Sequence, residues 1–308
     1  MTTPIVPTSP AIDRRGLIFG LGAYVCWGLI PLYFKLLQSV PSAEIVAHRV
    51  LWSLLVVGLL VLAACGWPKV RATLANRRAM TILVASSLLI GINWLLYVYA
   101  VNNGFVLASS LGYYLNPIAN ILLGRFILKE HLSRAQWAAV ALACVGIAVL
   151  AAGALGQLWI SLALCASFAT YGLLRKIVEA DALTGLLVET ALLFPIALLY
   201  LFFRHGADGS AWFPTAHLGL LLAASGLIST VPLLMFAAAA RRIPYSMMGI
   251  LQFIAPTLQF LLAVFAFGEP FTTAHAIAFA AIWSALAIYV AAPIIAARRS
   301  SADHLART

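Results

Sequence analysis

Apolar runs of about 20 residues, the length a helix needs to cross a hydrocarbon layer of about 30 Å, recur along this chain. They fall at roughly 16–37, 43–65, 80–101, 105–128, 134–152, 156–177, 183–203, 216–240, 245–267 and 273–296. No other feature restricts the fold as strongly, because a backbone that enters lipid must satisfy its own hydrogen bonds, and only helices and closed barrels do so. Runs this long and continuous read as helices. With 64% hydrophobic and 9% charged residues, and a mean hydropathy of +1.02, too little polar surface remains to coat a water-soluble particle. The first run is too long for a signal-peptide core and lacks a small-residue cleavage site, so it is expected to remain as a helix. Cys26, Cys65, Cys144 and Cys165 lie in or at the ends of runs, without CxxC spacing, and read as small core residues.

Ten crossings return both termini to one side. With the N-terminus inside, 16 of the 19 Lys and Arg fall in cytoplasmic segments, leaving Lys35, Arg49 and Arg204 on the far side. Among the 16 are Arg125, Lys129, Arg175, Lys176, Arg241 and Arg242. This bias follows the positive-inside rule. It accounts for the net charge of +10 with no nucleic-acid partner, since the charges are spread through loops rather than gathered on one face. The expected location is a bacterial cell inner (plasma) membrane, multi-pass, with both termini cytoplasmic and short tails at 1–15 and 297–308.

Residues 115–130 read LNPIANILLGRFILKE and residues 254–269 read IAPTLQFLLAVFAFGE, each with a proline thirteen residues before a glutamate. A shift of 139 places Pro117 on Pro256, Glu130 on Glu269, Tyr97 on Phe236 and Ser86 on Ser225; a shift of 140 relates the earlier helices, placing Lys35 on Arg175 and Arg49 on Glu189. The chain is therefore expected to hold two five-helix units, 16–152 and 156–296. Five is odd, so the second unit enters the membrane upside down. Loop charges agree: Arg125, Lys129 and Arg134 have Val264, Gly268 and Thr273 as counterparts, whereas Asn102 and Asn103 have Arg241 and Arg242. The expected fold is an all-α membrane protein whose ten transmembrane helices form two inverted repeats, an architecture of secondary transporters.

Trp27-Gly28 in the first run, Asn116-Pro117 in the fourth, and Lys129-Glu130 and Gly268-Glu269 closing the fourth and ninth resemble the drug/metabolite transporter superfamily, EamA family. The stretches SAEIVAHRVLWSLL and GYYLNP are similar to its RarD group, named for chloramphenicol sensitivity. The resemblance covers nearly the whole chain and implies a membrane permease, with amino acids or chloramphenicol-like compounds as substrates.

Polar side chains inside hydrocarbon are costly, so each is a site candidate or an interhelical bond. Asn93 and Tyr97 share a helix face, with Trp94 beside them. Tyr113, Asn116 and Asn120 line the fourth run, and Gln252 and Gln259 line the ninth. Each proline frees a carbonyl one turn earlier, that of Tyr113 or Gln252, and marks Pro117 and Pro256 as hinge candidates. Trp27, Trp94 and Tyr97 would form an aromatic wall or simply pack. Glu189 is the one carboxylate expected deep in the bundle, and three roles fit it: carrying a coupling proton, forming an ion pair or touching substrate. His48 and Arg49 stand with it as coupling or ion-pair candidates, and Lys35 as a snorkelling residue or outer-mouth cation.

The absence of GxSxG, HExxH and P-loop motifs implies no catalytic residue, metal, cofactor or ATP site. The expected function is secondary transport, with efflux of small amphipathic metabolites or drugs by alternating access. Its partners would be a small-molecule substrate and the lipid bilayer, and the Gly16/Gly20 spacing leaves a homodimer open. The alternative is a membrane sensor that binds a small molecule without moving it.

Overall fold

Helices account for the regular structure in a computed structural model that describes residues 13–37, 39–102, 106–151, 158–208, 215–266 and helical positions between 273 and 292; no strand occurs among them. The elements are α1 (Arg14–Lys35), α2 (Ser42–Ala63), α3 (Trp67–Ala75), α4 (Arg77–Asn102), α5 (Val106–Phe126), α6 (Arg134–Ala151), α7 (Leu158–Ile177), α8 (Ala182–Asp208), α9 (Ala216–Ala240), α10 (Tyr245–Gln252) and α11 (Ile254–Leu261). A last apolar helix, α12, covers Ala276–Tyr289. Six of them (α1, α2, α4, α7, α8 and α9) are long and apolar enough to cross a bilayer, while the apolar stretches of α6 and α12 are shorter. The tail residues 1–12 and 297–308, with Asn103, Gly268 and Glu269, lie outside the described residues.

Two elements differ from the sequence pattern. The basic segment after the second run carries a short helix, α3, which begins behind Gly66 with Pro68 in its first turn, where a missing N–H costs nothing. The ninth run is not one helix: it stops at Gln252, turns at Phe253, resumes as α11, and ends in a π-helical turn over Leu262–Ala266. Pro256 is the cause, since it cannot donate to the Gln252 carbonyl and crowds the turn before it. The Phe253 amide instead reaches the Ile250 carbonyl at 3.2 Å, and the Thr257 hydroxyl takes up the Phe253 carbonyl at 2.7 Å. Pro117, its counterpart, sits inside an unbroken α5.

Large apolar side chains such as Leu220, Phe265 and Ile18 point outward, while Asn93, Asn116, Asn120, Gln252 and Glu189 are buried. This inversion suits a lipid exterior. Packing joins the first half of the chain to the second: α1 lies on α9 and α11, α2 on α8 and α9, α4 on α7 and α8, and α5 on α7 and α10. Exchanging the halves by the sequence shift maps α1–α9 onto α4–α7 and α5–α7 onto α1–α11.

The two ends of the bundle are chemically distinct. At one end Asp13 meets Arg242 at 3.8 Å, Asn76 donates to Glu179 at 3.3 Å, and the Lys176 ammonium donates to the Ala240 and Ile243 carbonyls at 3.0 and 2.7 Å. Glu130 accepts from the Tyr245 and Ser246 amides at 2.7 and 3.0 Å, so a carboxylate of the first half caps a helix of the second. We refer to this as the basic end. The opposite end holds the Tyr33 hydroxyl on the Leu221 carbonyl at 2.8 Å and His205 3.6 Å from Glu44.

Close helix contact depends on glycine at two crossings. A Cβ on Gly249 would lie 2.5 Å from the Pro117 carbonyl oxygen, and one on Gly226 2.6 Å from the Trp52 backbone, whereas Gly58 has nothing within 4 Å. Gly249→Ala and Gly226→Ala are each expected to cost about 1–3 kcal/mol through overpacking. Gly58→Ala is expected to gain up to about 1 kcal/mol from helix propensity. Thermal unfolding of the three purified variants in detergent checks this ordering, and equal midpoints would refute it.

Candidate functional site

The polar stripes of α5 and α10 face each other across the two halves. The Asn120 side-chain amide donates to Gln252 Oε1 at 2.7 Å. One turn earlier Asn116 is fully enclosed, and both its amide atoms lack a partner among the described residues. Burying an unpaired amide costs about 1–3 kcal/mol, so an asparagine so placed calls for a ligand or a water. Tyr114 reaches the Pro256 carbonyl at 3.4 Å, which ties the second proline's segment to this face.

Other candidates serve as interhelical bonds. Asn93 donates to the Leu164 carbonyl and the Ser167 hydroxyl, both at 3.0 Å, joining α4 to α7. Gln259 donates to the Trp27 carbonyl at 3.0 Å, joining α11 to α1. Trp27 itself is wedged among Tyr24, Phe168 and Phe236, with ring centroids 5.6–5.7 Å apart. These contacts give the three residues a packing role in this conformation.

Arg49 organises a second cluster. It is half-buried. Its Nε donates to the Ser229 hydroxyl at 2.8 Å, and its guanidinium lies 5.0 Å from the Trp94 ring centroid and 5.8 Å from that of Phe34. Tyr33, Tyr97 and Tyr113 are its electrostatic neighbours. Tyr97 and Tyr113 pack at 5.9 Å, and Tyr113 meets Phe168 edge-on at 6.5 Å. All of Tyr33, Phe34, Trp94, Tyr97 and Tyr113 are half-buried, forming an aromatic wall with one cation set in it.

His48 faces away from this wall. It lies with Glu44 and His205, their ligand atoms all within 4.8 Å of one another. One carboxylate and two imidazoles are a donor set that can hold a transition metal, and equally one that can share protons. Lys35 ends α1 and is exposed.

Glu189 lies with Arg175, not with Arg49. The Arg175 Nη1 stands 3.6 Å from Glu189 Oε1, and both side chains are buried. Ser86 also donates to that oxygen, Tyr171 bonds the carboxylate, and Arg175 Nη2 donates to the Ala182 carbonyl at 3.1 Å. Sequence reasoning assigned Arg175 to a loop as a topology charge, because positive-inside counting treats every arginine near a helix end alike. The signal that singles it out is the repeat, which sets it on Lys35 beside the Arg49–Glu189 match. Ser86, which the shift of 139 sets on Ser225, is part of the same network.

A cleft of about 910 Å³ also opens between α2, α3 and α8, lined by Leu55, Leu59, Trp67, Leu74 and Leu192 among others. Its walls offer nothing that would orient a polar solute.

Residues 14–152 match the model of the EamA-like transporter family. A protein of Pseudomonas aeruginosa described as an uncharacterized transporter is 48% identical over 280 residues, 90% of this chain and 93% of the relative. Protein RarD of Escherichia coli is 44% identical over 302 residues, 94% of this chain and 98% of the relative. The chain belongs to the EamA-like transporter family. It is therefore a multi-pass membrane transporter of the drug/metabolite transporter superfamily, within the RarD group, and a non-enzymatic transport role follows. A solved crystal structure 19% identical to it has the same fold, at a TM-score of 0.67 over 89% of this chain and 96% of that one.

Removing one partner of a buried ion pair strands the other. Glu189→Gln, which leaves the Arg175 charge uncompensated, is expected to destabilise the protein by about 3–5 kcal/mol, while the apolar double variant Arg175→Met/Glu189→Leu recovers most of the loss. Thermal unfolding in detergent distinguishes this from a weak surface-like pair, for which all variants would melt together.

Proposed function

We propose that this protein is a bacterial inner-membrane secondary transporter that exports small amphipathic metabolites or drugs by alternating access. Ten spans form two inverted five-helix halves, with both termini in the cytoplasm and the basic end facing it. The reciprocal packing of the halves and the gathering of Lys176, Arg241 and Arg242 at one end support this reading.

The observation that carries the proposal is the contrast between the ends. The basic end is shut: Arg175–Glu189, Lys176 on the α9 carbonyls and Glu130 on the α10 amides cross between elements, above fully buried Tyr24, Tyr171, Phe236 and Tyr245. At the other end Arg49 and its aromatic neighbours keep accessible surface. One end held by polar latches and the other carrying a half-buried cation among aromatic faces is consistent with one extreme state of alternating access. Between them lie Asn116 and the Asn120–Gln252 bond, at the crossing of the repeated helices.

Glu189 then acts as a latch. Its carboxylate is held by Arg175 and Ser86, with Tyr171 beside it, so it ties α8 to α7 and α4. The wall of Phe34, Trp94, Tyr97 and Tyr113 suits solutes with an aromatic or apolar body, and aromatic amino acids and chloramphenicol-like drugs have one.

Proteoliposomes loaded with a mixture of amino acids and drugs, chloramphenicol among them, test the proposal by mass spectrometry of the released solutes. Wild-type protein is expected to move a subset of them. Asn116→Ala and Gln252→Ala are each expected to lower that flux about tenfold, the equivalent of one hydrogen bond of roughly 1.4 kcal/mol, without loss of insertion. Any acceleration by an imposed pH gradient should survive Glu189→Gln. Solute binding with no flux would favour the sensory reading instead.

A further inference from the structure

The repeat relates two positions of opposite charge. Glu189 on α8 corresponds to Arg49 on α2, Arg175 on α7 to Lys35 on α1, and Ser86 on α4 to Ser225 on α9. At the basic end these positions hold a complete unit, in which carboxylate, guanidinium and serine hydroxyl meet. At the other end the same positions hold two cations, and among the described residues no carboxylate pairs with Arg49. The scaffold is shared, but the acid is missing from one copy.

A guanidinium set deep in a low-dielectric bundle needs a counter-charge, and the Ser229 hydroxyl and the faces of Trp94 and Phe34 offset its desolvation only in part. Its geometry says what would supply the rest. Nε is occupied by Ser229, whereas the two Nη groups donate to no described residue. A planar pair of donors beside an aromatic wall fits the two oxygens of a carboxylate, in the bidentate arrangement that guanidinium favours.

We propose that the transported solute is a carboxylate on an aromatic or apolar body, and that its carboxylate binds Arg49, supplying the charge that Glu189 supplies at the basic end. The body of the solute rests on Trp94 and Tyr97. Loading the site completes at one end an ion pair equivalent to the one that latches the other, which gives each end a closed state of the same chemistry. The proposal rests on the transport reading for its direction and on the two-half relation for its symmetry, but binding at Arg49 is measurable without either.

The test is equilibrium binding to the full-length protein in nanodiscs at neutral pH, read by tryptophan fluorescence and calorimetry. The probes are four acids with their amides: benzoate, phenylacetate, indole-3-acetate and phenylalanine. At least one acid is expected to bind about tenfold or more tightly than its amide. Arg49→Gln should erase that preference, and Arg49→Lys should keep part of it. No preference for the acid in any pair, including no binding of any probe, overturns the proposal without recourse to a variant, and so does a preference that survives Arg49→Gln. The outcomes separate from those of the transport assay. Flux of neutral solutes with no acid preference leaves a transporter without this site, whereas acid binding with no flux leaves the site without transport.

Discussion

Between α7 and α8, in a largely apolar interior, a guanidinium and a carboxylate lie 3.6 Å apart. Neither would be tolerated alone, since the desolvation of a single buried charge outweighs most of what a helix pair gains by packing. Together they draw in Ser86 from α4, Tyr171 from α7 and the first carbonyl of α8. The basic end is thus closed by a network whose members come from both halves of the chain. Lys176 and Glu130 extend it to the ends of α9 and α10. Closure made of directed polar contacts can be exchanged for other contacts one at a time, which an interlocked apolar core cannot do.

The opposite end uses the same scaffold with different charges. Arg49 stands where Glu189 would, beside aromatic faces and a hydroxyl rather than an acid. In the proposed account, a solute that completes this set would stabilise one end while the latch at the other parts, linking binding to opening through differential contacts. The broken segment of α10 and α11, with its π-helical turn, gives the second half a place to bend that the continuous α5 does not offer. The two segments differ in continuity.

Much of this was legible in the chain. The apolar runs named the solvent, and the stretches SAEIVAHRVLWSLL and GYYLNP named the family. What stayed hidden shares one physical cause: it depends on which neighbour a side chain meets. Asn93 and Asn116 look alike in sequence, yet Asn93 is satisfied by α7 and Asn116 by no atom of the described residues. Arg175 reads as one more loop charge until α8 brings Glu189 to it. Pro117 and Pro256 occupy equivalent positions in the sequence, but only the second lies at a broken helix. The helix WPKVRATLA is short and of mixed polarity, and its pattern alone does not separate it from a loop.

The claim that the Arg175–Glu189 pair latches one end while the other stands open is most directly tested by paired distances. Spin labels at Leu74 and Ile177, both exposed near the basic end, and at Leu36 and Leu220, exposed near the other, would report both ends of the protein in nanodiscs by pulsed electron resonance. In Glu189→Gln the first distance is expected to lengthen and the second to shorten, together and in the same fraction of molecules. Distances that stay fixed at both ends in a folded variant, or that lengthen at both, would contradict the account.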